Sequence, residues 1–339
     1  MTYDAILVVS FGGPEKPADV MPFLENVLRG KNVPRERKLE VAEHYYHFGG
    51  KSPINDQNRH LIKALETELA QHGPRLPIYW GNRNWHPMLA DTLRQMKEDG
   101  VNRALAFVTS AYSSYSSCRQ YREDIARAQE AVGEGAPIVD KIRAFHNHPG
   151  FVEALVDRVR DALAKFPEER REAAQLVYTA HSIPTSMAQG CDYEKQLLET
   201  GRLVAGKLGH RNWRLVYQSR SGPPSQPWLE PDILDCLREL KRETTTTHVV
   251  IAPIGFVSDH MEILFDLDTQ ARDLCEELGI HMVRAKTVGT HPTFIRMIRA
   301  LICERMDEAT PRLALGQLGA RPDFCAIDCC PMPARTAAN

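Results

Sequence analysis

Long apolar runs are absent from this chain of 339 residues: no stretch approaches the roughly 18 uninterrupted apolar residues of a membrane span. Its start, MTYDAILVVSFGGPEKP, carries Asp4 and no basic segment, and the apolar run 5–9 is too short for a secretory leader. Excess charge is absent too, since 42 Lys and Arg against 44 Asp and Glu leave a formal −2. That balance excludes the chain-wide basic footprint of a nucleic-acid binder. The common phosphate and zinc spacings are missing as well: there is no G-x-G-x-x-G, no P-loop lysine behind a glycine turn, and no C-x-x-C. The expectation is a cytoplasmic chain without a transmembrane segment or a nucleic-acid partner.

What remains is globular. Apolar residues make up 43% and charged residues 25%, enough to bury a core and too apolar for disorder. At roughly 150 residues per domain, the length suits about two domains. Short β-branched runs at 4–10, 76–81, 103–109 and 137–142 read as strands, and a second set follows at 175–180, 214–218, 247–253 and 281–286. Between them lie helical patterns, with three- and four-residue apolar spacing clearest at 150–165 and 292–305. Alternating strands and helices imply parallel sheets covered on both faces. The expected fold is therefore α/β, with two similar domains, each built on a mainly four-stranded parallel sheet. The boundary is placed where His-Asn-His-Pro-Gly breaks the pattern, giving 1–145, 146–310 and a tail, 311–339. The late helix can return to either half, and the last residues, Met332–Asn339, are expected to fray.

In parallel sheets ligands bind beyond the carboxyl ends of strands, so loops directly after strands matter most. Ser10–Pro14 is either a plain tight turn or a close backbone approach to a flat ligand with Phe11 on its face. His181 follows an apolar strand and is either a hydrogen-bonded structural histidine or a group that takes a proton or binds a metal. In Ser258-Asp-His-Met-Glu262-Ile-Leu-Phe-Asp266-Leu-Asp268, Ser258 or Asp259 can cap a helix, and at 100° per residue Asp259, Glu262 and Asp266 share one face. That row suits passage of a hard cation, or simply a solvated helix start. Three of eight cysteines crowd into six residues, Cys325, Cys329 and Cys330. Thiolates favour zinc or iron–sulfur clusters, but a fourth ligand must come from elsewhere.

Eight stretches in order are SFGGPE (10–15), MPFLENVLRG (21–30), HYYHFGGKSPIN (44–55), GNRNWHP (81–87), TSAYSSYSSCRQYRED (109–124), TAHSIP (179–184), QSRSGPPSQPWLEPDI (218–233) and PIGFVSDHMEILFDLD (253–268). Together they resemble ferrochelatases, most closely the actinobacterial type that acts on coproporphyrin III. The resemblance implies two Rossmann-like domains with a porphyrin cleft between them. It implies a lyase of haem biosynthesis that inserts Fe²⁺ into the porphyrin and releases two protons. His181 and Glu262 match the catalytic pair, which would also meet the iron, with Asp266 as a relay. Ser52 and Tyr121 match porphyrin contacts, Arg29 and Tyr45 match pocket positions, and Phe11 stands where some relatives carry a metal-proximal tyrosine. Cys118 matches an internal ligand that, with Cys325, Cys329 and Cys330, would hold a [2Fe–2S] cluster. The adjacency of Cys329 and Cys330 is the unusual part. The expected partners are coproporphyrin III, Fe²⁺ and a product-receiving haem-pathway enzyme, and the expected state is a monomer. A protoporphyrin IX ferrochelatase and a non-catalytic porphyrin or haem carrier are the alternatives.

Overall fold

The computed structural model describes residues 2–30, 33–223 and 225–332. The first apolar run forms β1, Ala5–Ser10, with all six residues buried. A strand hidden on both faces reads as a continuous apolar run, as a parallel sheet under helices requires. β1 pairs in parallel with β2 (Ile78–Asn82) and with β3 (Arg103–Val108), and β3 carries β4 (Ile138–Lys141). The second sheet repeats the plan. β5 (Gln175–His181) lies between β6 (Trp213–Gln218) and β7 (His248–Ala252), with β8 (His281–Arg284) beyond β7. The orders are β2-β1-β3-β4 and β6-β5-β7-β8.

In each sheet the chain leaves the first strand on one side and resumes on the other, which opens a crevice at that strand's carboxyl end. Phe11 directly follows β1, and His181 ends β5. The two halves therefore present Phe11 and His181 at corresponding places.

The largest core cluster draws on both halves, including Ile6, Phe107 and Tyr112 from the first and Phe151, Tyr178 and Phe294 from the second. The late helix, Pro292–Met306, packs on both Pro149–Leu163 and Ile54–His72, so it returns to the first half. The connecting segment is not a loose linker: residues 143–148 are all buried. Arg143 makes a two-pronged pair with Glu304 at 2.7 and 3.0 Å and donates to the Leu313 carbonyl at 2.8 Å. Beyond Met306 the described residues form no helix or strand. They are nonetheless tied down, because Asn147 donates to the carbonyls of Leu315 and Gly319, and Glu199 accepts from the backbone of Gln317 and Leu318. The end expected to fray, beyond Met332, lies outside the described residues. Among the described residues no helix is long and apolar enough to cross a membrane.

Candidate active site

The last residue of β5 and the turn after β7 converge. His181 Nε2 lies 3.4 Å from Glu262 Oε1, and the other carboxylate oxygen lies 3.1 Å from His260 Nε2. One carboxylate thus joins two imidazoles. His181 is fixed from behind: its Nδ1 meets the Ser182 carbonyl at 2.5 Å, and the Tyr193 hydroxyl donates to the His181 carbonyl at 3.1 Å. The loop before His260 sits directly against β5. A Cβ on Gly255 would come within 2.6 Å of the Ala180 Cβ, so only glycine lets the loop approach there.

Glu262 leads into a π-helix, Ile263–Ala271, whose wider turn is a recurrent feature of functional sites. Asp266 lies one turn on from Glu262. It accepts from the Ser219 hydroxyl and from Gln218 Nε2 at 3.3 Å. Ser219 has a φ of +62°, a left-handed turn rare outside glycine, at the point where β6 gives way to the proline-rich loop. The shared face expected for Asp259, Glu262 and Asp266 needs correction. The helix begins only at Met261, so the 100° count does not reach back to Asp259. Asp259 instead joins Asp268 around Arg284, at 3.3 and 2.6 Å, and accepts from Thr287. Its carboxylate is occupied there and caps no helix.

The electrostatics follow from the geometry. Burial opposes a charged imidazole at His181, but the Glu262 carboxylate and the Ser182 carbonyl overcome it and push the group up to about 9. Burial would likewise raise Glu262, yet His181 and His260 hold it well below the usual carboxylate range. Asp266 goes the other way: burial, reinforced by the charge of Glu262, lifts it to about 6 against the pull of Ser219. Neighbouring carboxyl groups with values pushed apart are the pattern of a proton-handling site.

The first half supplies an aromatic wall. Phe11 packs with Phe23, Tyr45 and Trp85, the Phe23 ring centre lying 6.3, 5.7 and 6.3 Å from the other three. Burial first, and the charge of Glu262 second, raise the Tyr45 hydroxyl, so Tyr45 lies within electrostatic reach of the carboxylate. His44 stacks on Phe265 at 3.6 Å, joining the helix Arg35–His47 to the π-helix of the other half. Arg83 lies over the rings of both Tyr121 and Phe11, at 4.6 and 5.6 Å, and pairs with Asp124. Tyr121 is buried beneath it. Ser52 is buried against the Phe11 loop, its N–H bonded to the Pro14 carbonyl at 2.9 Å. Arg29 is exposed and bonded to Asn26 at 2.6 Å, and Asn26 in turn donates to the Asn84 carbonyl, next to Trp85.

Sequence reasoning missed His260, Ser219 and Arg83, although each stands in a quoted stretch. His260 is two residues from Glu262, a spacing that points away in a regular helix; only the late helix start turns it back. Arg83 carried no signal beyond its place after a strand.

The cysteines meet away from this site. Cys118 lies in a π-turn, Tyr115–Arg119, capped by Ser114, which accepts from the Ser117 N–H. Its thiol is a hydrogen-bonding neighbour of Cys325, which holds Cys118 low and drives Cys325 up. Cys329 and Cys330 form a second pair, Sγ to Sγ 3.5 Å. Arg119 donates to the Cys329 carbonyl, and Arg122 to those of Ala326 and Ile327, which pins the tail over Cys118. Among the described residues no three His, Cys, Asp or Glu side chains close on a single metal position.

Comparison with known proteins agrees with this arrangement. The family model described as ferrochelatase matches residues 3–306. A ferrochelatase of Rhodopirellula baltica is 61% identical, covering 97% of this chain and 93% of its own. The coproporphyrin III ferrochelatase of Streptomyces coelicolor is 52% identical, over 97% and 93%. Among solved structures, the sirohydrochlorin chelatase SirB of Bacillus subtilis subspecies spizizenii in complex with cobalt matches with a TM-score of 0.52 at 12% identity, over 93% of this chain and all of that one. At that identity the likeness shows the fold: two parallel sheets in the chelatase arrangement. On the family match across nearly its whole length and on relatives of this identity, the chain belongs to the ferrochelatase family.

Proposed function

We propose that the protein inserts Fe²⁺ into coproporphyrin III, yielding Fe-coproporphyrin III and two protons. The observation that carries this reading is the Glu262 carboxylate held between His181 and His260, on a π-helix joined by the His44–Phe265 stack to the helix that carries Tyr45 of the aromatic wall. A porphyrin is flat and apolar on its faces, and the wall offers it such a face. Its two N–H protons must leave as the metal enters. His181, in its neutral form, accepts one; Glu262 lies beside it and meets the incoming Fe²⁺. Asp266, poised near neutrality and held by Ser219, passes protons toward solvent. Phe11 offers no phenol oxygen, so iron receives no ligand from that side chain. Ser52, Tyr121, Arg29 and Tyr45 are assigned to the porphyrin side, Tyr121 acting through Arg83. The coproporphyrin assignment is supported by the names of relatives near 50% identity, such as that of Streptomyces coelicolor. Units of 1–145 and 146–310, followed by the tail 311–339, complete the reading.

The same reading gives Cys118, Cys325, Cys329 and Cys330 to a [2Fe–2S] cluster. Its support is the contact of Cys329 with Cys330 and the influence of Cys325 on the Cys118 thiol, since such a cluster takes two thiolates on each iron. Bound there, the group would supply a structural or sensing element, because metal insertion transfers no net electrons. Arg119 and Arg122 hold the tail in place for it.

The test of the active-site assignment is His181→Ala. Iron insertion should fall to background while circular dichroism and thermal unfolding stay unchanged. Near-normal turnover would remove His181 from the mechanism.

A further inference from the structure

Arg284 is the last residue of β8, two strands away from the one that ends in His181. Its side chain is 14% exposed and faces two carboxylates that are each 17% exposed. Nε and Nη2 donate to the two oxygens of Asp268 at 2.6 and 2.8 Å, the planar fork by which a guanidinium grips a carboxylate. Nη1 and Nη2 reach the two oxygens of Asp259, both at 3.3 Å. Asp259 stands before the helix start at Met261, and Asp268 lies inside the π-helix. One cation thus bridges the segment that carries His260, Glu262 and Asp266. Asp259 is held from two further sides. The Thr287 hydroxyl donates to it at 3.0 Å, and its own N–H donates at 2.8 Å to Gln57 Oε1 on the helix Ile54–His72 of the first half.

This bridge accounts for the local shape of the site. An aspartate just ahead of a helix ordinarily turns its carboxylate onto the N–H groups two or three residues on and caps the helix. Asp259 is turned to Arg284 instead, so the helix starts late. Residues two apart do not face each other in a regular helix. His260 and Glu262 meet at 3.1 Å because His260 lies outside it. Freed from Arg284, Asp259 can take up the cap, the helix start moves back over His260, and the His260 imidazole swings off the Glu262 carboxylate. The π-helix is likewise a rare, wide turn that needs an outside tie, and Asp268 supplies one.

We propose that Arg284 is a positioning residue for metal insertion: by holding Asp259 off the helix start and Asp268 within the π-helix, it sets where His260 meets Glu262. The inference rests on the activity proposed above. Arg284 acts through the Glu262 carboxylate, and the planar fork is what the role requires. A lysine carries the charge but cannot bridge two carboxylates in this way.

The full chain carries the test as wild type, Arg284→Lys and Arg284→Ala, with Fe²⁺ and coproporphyrin III as substrates and circular dichroism to verify folding. In Arg284→Lys, kcat should fall by up to about a hundredfold, the scale of a misplaced catalytic group. KM for the porphyrin should stay unchanged, because the aromatic wall belongs to the other half. Millimolar guanidinium should restore part of kcat to Arg284→Ala and leave wild type unaffected. Hydrogen exchange should quicken at 259–266 and stay unchanged along 175–181. Thr287→Val removes one donor to Asp259 and keeps the ion pairs; it should show the same loss of kcat at smaller size, even where the arginine variants fail to fold. Wild-type kcat in folded Arg284→Lys overturns the positioning role. Exchange that quickens throughout the second half, with no rescue by guanidinium, overturns it too, since that is lost stability alone. A wild type that metallates no porphyrin overturns the proposed activity, and exchange at 259–266 then still reports whether Arg284 holds the segment.

Discussion

Replacing Glu262 with Gln should move the proton on His181. In the native chain the imidazole is lifted from 6.5 to about 9, against the effect of burial, chiefly by the Glu262 carboxylate. At about 1.36 kcal/mol per unit this is a preference for imidazolium of roughly 3.4 kcal/mol. His181 and Glu262 keep 32% and 42% of their side-chain surfaces exposed. Solvent screening therefore lowers the effective figure to about 2 kcal/mol, or roughly 1.5 units. Only the neutral imidazole accepts a porphyrin proton, so turnover should rise as pH climbs through the His181 value. The linked stability has the opposite sign: it is fully present below 6.5 and lost as pH rises through about 9. Without the carboxylate charge, burial dominates and the value falls to the ordinary one or below. The assay is insertion into coproporphyrin III, followed by loss of porphyrin fluorescence across neutral to alkaline pH. Nuclear magnetic resonance of labelled histidine, assigned with His181→Ala, reports the proton directly. The variant should show a lower plateau and a rising limb shifted to acid by at least about one unit. The same midpoint in both proteins would refute the reasoning.

Other outcomes follow from the same contacts. His260→Ala removes one partner of the Glu262 carboxylate at the half-open site; a loss of about 1 kcal/mol, roughly fivefold in kcat/KM, is expected in steady-state kinetics. Gly255→Ala drives a methyl into β5 beside His181, and an overpacking cost of about 1–3 kcal/mol should appear as a lower urea midpoint together with reduced turnover. Arg143→Met takes the two-pronged partner from the buried Glu304 carboxylate, leaving it only Arg312 at 3.5 Å, and frees the Leu313 carbonyl. A loss of about 3 kcal/mol in denaturant unfolding is expected, at the low end for a broken buried pair because Arg312 remains, with earlier proteolysis of the tail. Cys118→Ser should abolish the visible absorption of the reconstituted cluster, and an unchanged spectrum would exclude Cys118 as a ligand.

Much of the fold could be read from residues alone, because strands buried on both faces must be apolar throughout. Each of the eight strands falls within two residues of its expected ends. The shape of the site was less legible. The carboxylate row was counted as a regular helix from Asp259, but the chain starts its helix at Met261 and then widens into a π-helix. That delay sends Asp259 to Arg284 and turns His260 onto Glu262, outcomes that no fixed periodicity contains. The segment 143–148 reads as a domain boundary because Pro and Gly interrupt the pattern. Its polar residues are instead buried, and Arg143 and Asn147 bond to the tail, a long-range pairing invisible to local sequence. The thiol pairs depend likewise on Arg119 and Arg122 pinning a distant segment.

The most direct test of the proposed activity is anaerobic Fe²⁺ insertion by the purified protein, with coproporphyrin III and protoporphyrin IX assayed side by side. The account predicts rapid iron insertion into coproporphyrin III and a strong preference for it. A preference for protoporphyrin IX would contradict the substrate assignment while keeping the site chemistry. A folded protein that binds both porphyrins and metallates neither would contradict the central claim.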